Sequence, residues 1–343
     1  MVAAYLQALL EHDVYITDIN EEEYWKLDKA LYALKQAGHE WFKTLCNILS
    51  MHQCIGDEGT YTSRNYQLFI DTHVNDLIGI APTENDLDNA ENPVERRVEL
   101  GKRGKPTNML GVELHWSDRK VVLIQTRLKD SMTTQFLAGE DGGKHSRPLN
   151  ADDYKSPENP PNETHPKFQA IVGGLLFIAR MTRPDISIHA NLLGRRTKDA
   201  TPTHYYTALK VLRYLREEGL ILRKAENLSL HIYTDAAYGG EAATSQTGSM
   251  MYLGQQLVGW YSQRQDVVSL SVTEAEHIGN CEGAKDAAWS HQFLKELNIH
   301  QKPTDREGFY HLGKTQKFSR KSRHIEHRYH YVRQQVRQEN LPW

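Results

Sequence analysis

The chain has 343 residues, of which 25% are charged and 39% hydrophobic, with a formal net charge of −3. This length allows two or three globular domains, and the balanced charge gives no overall attraction to nucleic acid. The sequence has no apolar run of about 18 residues and no basic segment ahead of an apolar one, so it predicts neither a membrane span nor a secretory signal. Cys46, Cys54 and Cys281 lack metal-type spacing, which fits free thiols in a reducing intracellular compartment, either cytoplasm or nucleus.

The first part of the chain predicts one helix and two strand pairs. The helix should begin near residue 27 and continue through 45. Strands at 66–70 and 77–80 flank the segment His73-Val74-Asn75-Asp76, which predicts a hairpin with polar residues at its tip. A second strand pair should cover 109–116 and 121–125.

The middle of the chain predicts a linker followed by two helices. Residues 138–162 contain Gly-Gly and Pro-Pro pairs, which break regular structure. Residues 167–180 carry apolar side chains at helical spacing, and Pro184 should end that helix. A second helix is predicted at about 202–217. We interpret both helices as ordinary packing elements.

A strand with one acidic residue opens the last part of the chain. Leu228, Leu230 and Ile232 alternate with other residues in the period-2 pattern of a half-buried strand. Asp235 should therefore lie on the face opposite these aliphatic side chains. A hairpin at 247–262 is predicted to follow.

A long helix predicted at 273–297 begins with two acids, Glu274 and Glu276. A carboxylate at a strand end and another on a nearby helix can share a hard divalent cation such as Mg²⁺. Residues 303–308 should form a loop, and residues 314–343 hold eight Lys or Arg against two Glu. This basic tail, which we expect to be helical from about residue 322, is either a solvated face or a surface for nucleic acid.

Several short segments, in order over nearly the whole chain, resemble the last part of a copia-type retrotransposon polyprotein, which is the end of the reverse transcriptase followed by ribonuclease H. The family's segments LYGLKQ, YVDD, FLG, TRPDI, WxSKRQ, STEAEY and KHIDIRYH are similar to Leu31–Gln36, His73–Asp76, Met109–Gly111, Thr182–Ile186, Trp260–Gln265, Thr273–Glu276 and Arg323–His330. One such motif would be weak, but this collinear set is strong.

The resemblance implies an α/β chain: an α+β palm and thumb remnant followed by a ribonuclease H-like α/β domain with a mixed sheet. We predict a truncated reverse transcriptase palm at 1–137, a linker and helical thumb or connection region at 138–225, and the ribonuclease H-like domain at 226–343.

Two departures from the family bear on polymerisation. The family's YVDD pair is Asn75-Asp76 here, and the chain begins at Met1-Val2-Ala3 without the aspartate that precedes this segment in relatives. Such polymerases hold two Mg²⁺ ions between carboxylates, and a neutral Asn cannot replace one of those charges. We therefore expect polymerase activity to be lost and the Asn75-Asp76 site to be degenerate.

The ribonuclease H part keeps more of its motif residues. The resemblance implies two Mg²⁺ ions, with Mn²⁺ as an alternative, held by Asp235, Glu276, Asp305 and Glu326 for hydrolysis of RNA in an RNA–DNA hybrid. Little sequence is available for a strand before Asp305, so either Asp305 is displaced or the preceding helix unravels to supply the chain. His324 either assists proton transfer or packs within the basic tail. Glu274 is interpreted as an outward-facing helix N-terminal acid.

Nucleic acid should be held mainly through its phosphates. The basic candidates are Arg264, Arg320, Lys321, Arg323 and Arg328. Two hypotheses follow: a metal-dependent ribonuclease H attached to an inactive reverse transcriptase remnant, or an inactive relic that at most binds nucleic acid. A host-recruited interaction protein is a third, for which the sequence gives no positive sign.

Overall fold

A computed structural model describes residues 4–17, 23–49, 52–54, 57–63, 67–101, 103–138, 167–215, 219–239 and 244–301. The chain divides into two compact units, one of Met1–Pro106 with Trp289–His300 and one of Thr107–Ala288 with Gln301–Trp343. Helices and antiparallel sheets occur in the described residues, which confirms the predicted α/β class. The three-part division at 137 and 225, and a mixed sheet near the end of the chain, stay predictions.

Among its described residues, the first unit has a two-stranded sheet and a four-stranded sheet with helices beside them. One face of the first helix packs Trp41 and Leu45 into a core with Tyr61 and Ile70. The elements are β1 (Leu9–Thr17), β2 (Tyr24–Lys29), α1 (Ala37–Leu49), β3 (His52–Cys54), β4 (Asp57–Thr62), β5 (Phe69–His73), β6 (Asp76–Ile80) and α2 (Glu84–Glu95). The sheets are β1-β2 and β3-β4-β5-β6.

The predicted start of the first helix is wrong. Residues 27–29 form the end of β2, where Leu27 pairs with Val14 of β1, and the helix begins only at Ala37. Between them, Ala33 has a φ of 75°, a left-handed conformation that a continuous helix cannot contain. Pairing with β1 supplies the backbone hydrogen bonds that a helix would have supplied, so a non-local partner overrides the local pattern.

The second unit begins with a four-stranded antiparallel sheet of order β10-β9-β8-β7 and a helical core. The predicted hairpin is confirmed, with residues 118–119 at its turn. Four helices share one cluster of buried side chains that includes Phe168, Leu175 and Leu209. The elements are β7 (Asn108–Met109), β8 (Val112–Ser117), β9 (Lys120–Ile124), α3 (Thr126–Leu137), α4 (Phe168–Met181), α5 (Ser187–Gly194), α6 (Pro202–Tyr214) and β10 (Leu220–Arg223).

The segment Thr182–Ile186, between α4 and α5, contains a partly buried ion pair. Arg183 is 5% exposed, and its guanidinium donates from Nε to Oδ1 of Asp185 at 2.9 Å and from Nη2 to Oδ2 at 2.6 Å. Its Cζ lies 5.5 Å from the centre of the Tyr214 ring of α6. Burial would raise the pKa of Asp185, but the hydrogen bond and charge of Arg183 together lower it. This motif therefore has a structural role here.

The remaining described residues of the second unit form a three-stranded antiparallel sheet with most of a long helix on one face, and the last eight residues of that helix, 289–296, belong to the first unit. Its elements are β11 (Leu230–Ala237), β12 (Gln246–Leu253), β13 (Gln256–Arg264) and α7 (Val272–Glu296). The sheet order is β11-β12-β13, so β11 is the outer strand of this sheet within the described residues. The predicted strand, hairpin and helix are confirmed to within about two residues at most ends.

None of the helices within the described ranges has both the length and the apolar character that a membrane span requires. The predicted linker, most of 138–162, lies outside the described residues, as do the predicted loop at 303–308 and the basic tail.

Candidate functional site

Asp235 occupies the exposed face of β11. Along this strand the side chains alternate between half-buried or buried positions, such as Ile232 and Ala236, and exposed positions, which include Asp235. The predicted orientation of Asp235 is therefore confirmed. On the neighbouring strand Gly248 lies directly opposite Asp235, and a Cβ at Gly248 would meet no atom within 4 Å. The surface beside this carboxylate is open.

Glycines allow α7 to lie close to the other face of the same strand. A Cβ at Gly279 would lie 3.5 Å from Cβ of Ala236, and one at Gly283 would overlap Cγ2 of Thr234. The Thr234 hydroxyl donates to Oδ1 of Asn280 at 2.9 Å. Small residues and one polar contact thus hold α7 against β11, which fixes the position of the acids at the start of the helix.

The connection between β13 and α7 is held by Gln265, which is 4% exposed. Its Nε2 donates to Oγ1 of Thr247 at 3.0 Å and to the carbonyl of Ala275 at 2.8 Å. The Ser269 hydroxyl donates to Gln265 Oε1 at 2.7 Å. These bonds join the first turn of α7 to β12, next to the strand that carries Asp235.

Glu274 caps the start of α7 and does not face outward, so that part of the interpretation is wrong. Its side chain is buried, with 5% exposed, and Oε2 accepts from the Leu270 N–H at 2.8 Å. The Ser271 hydroxyl accepts from the Glu274 N–H at 3.2 Å. A carboxylate is favourable among the unpaired N–H groups of a helix N-terminus, which explains the burial.

Glu276 lies beside the peptide group that joins Asp235 to Ala236. Burial raises the pKa of the Glu276 carboxyl, and the negative charge of Asp235 raises it further, while a hydrogen bond from the Ala236 backbone acts in the opposite direction. Two carboxylates in mutual repulsion, one of them partly desolvated, are a donor set that a hard cation would neutralise.

Within the described residues these two acids form a pair only, because no group of three or more His, Cys, Asp or Glu side chains there could hold a metal ion. The other predicted site residues lie outside the described residues: Asp305, Glu326, His324, Arg320, Lys321, Arg323 and Arg328. The structure therefore places Asp235 near enough to Glu276 for its charge to raise the Glu276 pKa, while the assignment of all these residues to a metal site stays a prediction.

The chain that follows α7 returns to the outer edge of β11. The helix ends at Glu296, and Asn298 has a φ of 58°, a left-handed conformation common just after a helix C-terminus. The side chain of Gln301 then accepts from the Leu230 N–H at 2.8 Å and donates to the Leu228 carbonyl at 3.0 Å.

The predicted hairpin is confirmed in the first unit, but its first strand, β5 at Phe69–His73, lies three residues later than the predicted 66–70. Asn75 lies in the turn between β5 and β6, and its Oδ1 accepts from the Ala4 N–H and from the Tyr32 hydroxyl, each at 2.9 Å. Asp76 begins β6 and is exposed. The side chain of Asn75 therefore connects the hairpin tip to two other segments.

Arg264 ends β13 and is exposed, as is appropriate for a phosphate contact. The positive charge of Arg264 acts on Arg195, which follows α5. The sequence analysis did not identify Arg195, because no local sequence pattern relates it to Arg264, almost seventy positions away. The available signal was the pair Arg195-Arg196 directly after an apolar helix.

Comparison with known proteins gives a consistent result along the chain. Residues 1–142 match the reverse transcriptase (RNA-dependent DNA polymerase) family. The chain is 29% identical over 367 aligned positions to the retrovirus-related Pol polyprotein from transposon RE1 of Arabidopsis thaliana, covering 97% of this chain and 24% of that protein. It is 25% identical over 368 positions to the corresponding polyprotein from transposon TNT 1-94 of Nicotiana tabacum, covering 98% and 28%.

A yeast relative is more distant. The transposon Ty1-GR1 Gag-Pol polyprotein of Saccharomyces cerevisiae is 24% identical over 318 positions, which cover 80% of this chain and 17% of that protein. The chain thus spans less than a third of the length of each of these relatives.

Proposed function

Because the chain belongs to the copia-type retrotransposon Pol polyproteins, we propose that its last part is a metal-dependent nuclease of the ribonuclease H type. Its substrate is the RNA strand of an RNA–DNA hybrid. The observation that carries the proposal is the hydrogen bond from the Ala236 backbone of β11 to the Glu276 carboxylate of α7, which places Glu276 next to the residue that follows Asp235. The two acids come from different elements that are held together by Gly279 and Gly283.

The residues fit a divalent cation. Asp235 and Glu276 supply oxygen ligands, and the raised pKa of Glu276 reflects both its burial and a negative charge nearby. Mg²⁺, with Mn²⁺ as an alternative, would supply an activated water and charge stabilisation at the cleaved phosphate. The two side chains would hold and orient the cations, and the peptide N–H of Ala236 hydrogen-bonds the Glu276 carboxylate.

Asp305 is the proposed third ligand, on the resemblance of its segment to the family, and it lies outside the described residues. The described chain ends at Gln301, whose side chain bonds the backbone at the start of β11. Glu326 remains the proposed fourth ligand.

The reverse transcriptase part is proposed to have lost polymerisation. A polymerase site of this kind needs carboxylates to hold two cations. Asn75 is neutral, and its Oδ1 already accepts two hydrogen bonds. The second hypothesis is an inactive relic that binds nucleic acid. It is favoured by Asn75, which stands where the family has an aspartate.

Cleavage of an end-labelled RNA–DNA hybrid by the full chain tests the proposal. We expect Mg²⁺-dependent cleavage by the wild type and a loss of at least about 100-fold in Asp235→Asn and in Glu276→Gln, because each removes charge from the metal site. Glu226→Gln, at an exposed acid of the same unit, is the matched control and should cleave normally. If the wild type binds the hybrid but cleaves no faster than Asp235→Asn, the protein is a binding relic and the nuclease proposal fails.

A further inference from the structure

Arg264 lies on the same face of the sheet as Asp235. It pairs across β12 with Gln246, which in turn pairs with Ala237 of β11. Directly opposed residues point to the same side of a sheet, and Ala237 shares its side with Asp235. Two strand spacings and two residues along the strand separate Asp235 from Arg264 by about 12 Å between Cα atoms.

Arg195 is tied to this face by hydrogen bonds from α5 to β12. Oδ1 of Asn191 accepts from Arg195 Nε at 3.3 Å and from Arg195 Nη2 at 3.2 Å. The same oxygen accepts from Gln246 Nε2 at 3.3 Å, and Gln246 Nε2 also donates to Oγ of Ser262 at 2.8 Å. The end of α5 is thereby connected to the strand that lies between Asp235 and Arg264.

The charge of Arg264 reaches Arg195, and no carboxylate pairs with either side chain within the described residues. Burial lowers the pKa of Arg195, and the charges of Arg264 and Arg196 lower it further. Arg196 has a counter-ion, since its Nη1 lies 3.0 Å from Oδ2 of Asp199. Neither Arg195 nor Arg264 takes part in an ion pair within the described residues. Two neighbouring cations, of which Arg195 is partly desolvated, are unfavourable unless an anion joins them.

A cation after a helix C-terminus also stabilises the helix, which accounts for Arg195 alone. It does not account for the placement of Arg264 beside Arg195, because Arg264 lies on another element. The planar fork of a guanidinium matches a phosphate group, and two forks can hold one phosphate from two directions.

We propose that Arg195 and Arg264 together form a binding site for one phosphate group of a nucleic-acid backbone, which positions the strand across the face that carries Asp235. The inference rests on the proposed function and extends it to a residue outside the ribonuclease H motifs. Gly248 lies between the two positions, and its open surface lets a backbone approach the sheet.

Hybrid binding with divalent ions chelated tests the site independently of cleavage. A short labelled RNA–DNA hybrid is titrated with the full chain by fluorescence anisotropy over about 50 to 200 mM salt. Arg195→Gln and Arg264→Gln should each weaken binding several-fold and reduce the slope of log affinity against log salt by up to about one. The double variant should lose little more than either single variant, because both groups hold the same phosphate. Arg223→Gln is the matched control, since Arg223 is exposed and its N–H bonds to Gln256, at the start of β13 far from Arg264.

A purely structural role for Arg195 would lower the melting temperature of Arg195→Gln and leave the binding slope of the folded protein unchanged. That result overturns the proposal, as does equal binding by Arg195→Gln and the control. An effect confined to Arg264→Gln also overturns it, because one cation would then suffice. If both variants behave as expected while the wild type cleaves nothing, the phosphate site stands and the nuclease proposal fails.

Discussion

Replacing Gly283 with Ala should destabilise the unit that carries Asp235, because α7 contacts β11 at this glycine. A Cβ there would come closer than 3.0 Å to Cγ2 of Thr234, and the 2.9 Å hydrogen bond to Asn280 holds Thr234 in its rotamer. Overpacking of this kind costs about 1 to 3 kcal/mol, and displacing Thr234 would add about 1 kcal/mol for the lost hydrogen bond. The better helix propensity of Ala returns only about 1 kcal/mol. The free energy of unfolding should therefore fall by about 1 to 3 kcal/mol.

Thermal unfolding followed by circular dichroism measures this loss, which corresponds to roughly 2 to 4 °C for each kcal/mol in a unit of this size. Gly173→Ala is the matched control, because Gly173 lies inside α4 and a Cβ there meets no atom within 4 Å. The control should melt slightly higher than the wild type. Adding Thr234→Ala to Gly283→Ala should remove the overlap, so the pair should be less than additive. If Gly283→Ala melts as high as Gly173→Ala, then α7 does not lie this close to β11, and the pairing of Glu276 with Asp235 loses its support.

Three further predictions concern single side chains. Since the pKa of Glu276 is raised in the folded state, the free energy of unfolding should fall as pH rises from about 4.5 through the folded pKa. Asp235→Asn should make this fall smaller and lower the pKa of Glu276. Carboxyl NMR titration without metal measures that pKa. Arg183→Met should lower the free energy of unfolding, measured by chemical denaturation, by about 2 kcal/mol, because it removes the cationic partner of Asp185, whose side chain is 36% exposed and also bonds Tyr214. Asn75→Ala should cost about 1 to 2 kcal/mol because two donors lose their acceptor, whereas Asn75→Asp should melt close to the wild type, since a carboxylate accepts the same two bonds.

A matched control exists for the partly buried ion pair. Arg196 and Asp199 form an exposed pair, with 61% of the Asp199 side chain accessible, so Arg196→Met should change stability by less than about 1 kcal/mol. Equal effects of the Arg183 and Arg196 substitutions would contradict the burial argument. For the hairpin tip, a loss of stability in Asn75→Asp as large as in Asn75→Ala would show that its amide group, and not its oxygen, is required.

The sequence predicted the elements whose burial pattern is local. Alternation of Leu230 and Ile232 with exposed residues gave the orientation of Asp235, and helical spacing gave most of α7. Both patterns arise because one face of each element packs against the other, so periodicity alone reveals them.

Features that depend on distant partners could not be predicted in this way. The segment at 27–36 has helical composition, yet pairing with β1 determines the strand at its start. Glu274 is polar, so the sequence predicted an exposed side chain. In the structure its carboxylate is buried because it accepts a hydrogen bond from the Leu270 N–H. The approach of Arg195 to Arg264 depends on the way in which α5 packs against β13, for which the sequence carries no periodic signal.

The side chain of Gln301 has the same kind of donor and acceptor as a peptide bond. It accepts a hydrogen bond from the Leu230 N–H and donates one to the Leu228 carbonyl, where β11 begins. Within the described residues β11 is the outer strand of its sheet, and backbone groups on an outer strand can pair with a strand of a second molecule. One glutamine therefore satisfies the two outward backbone groups with which β11 begins.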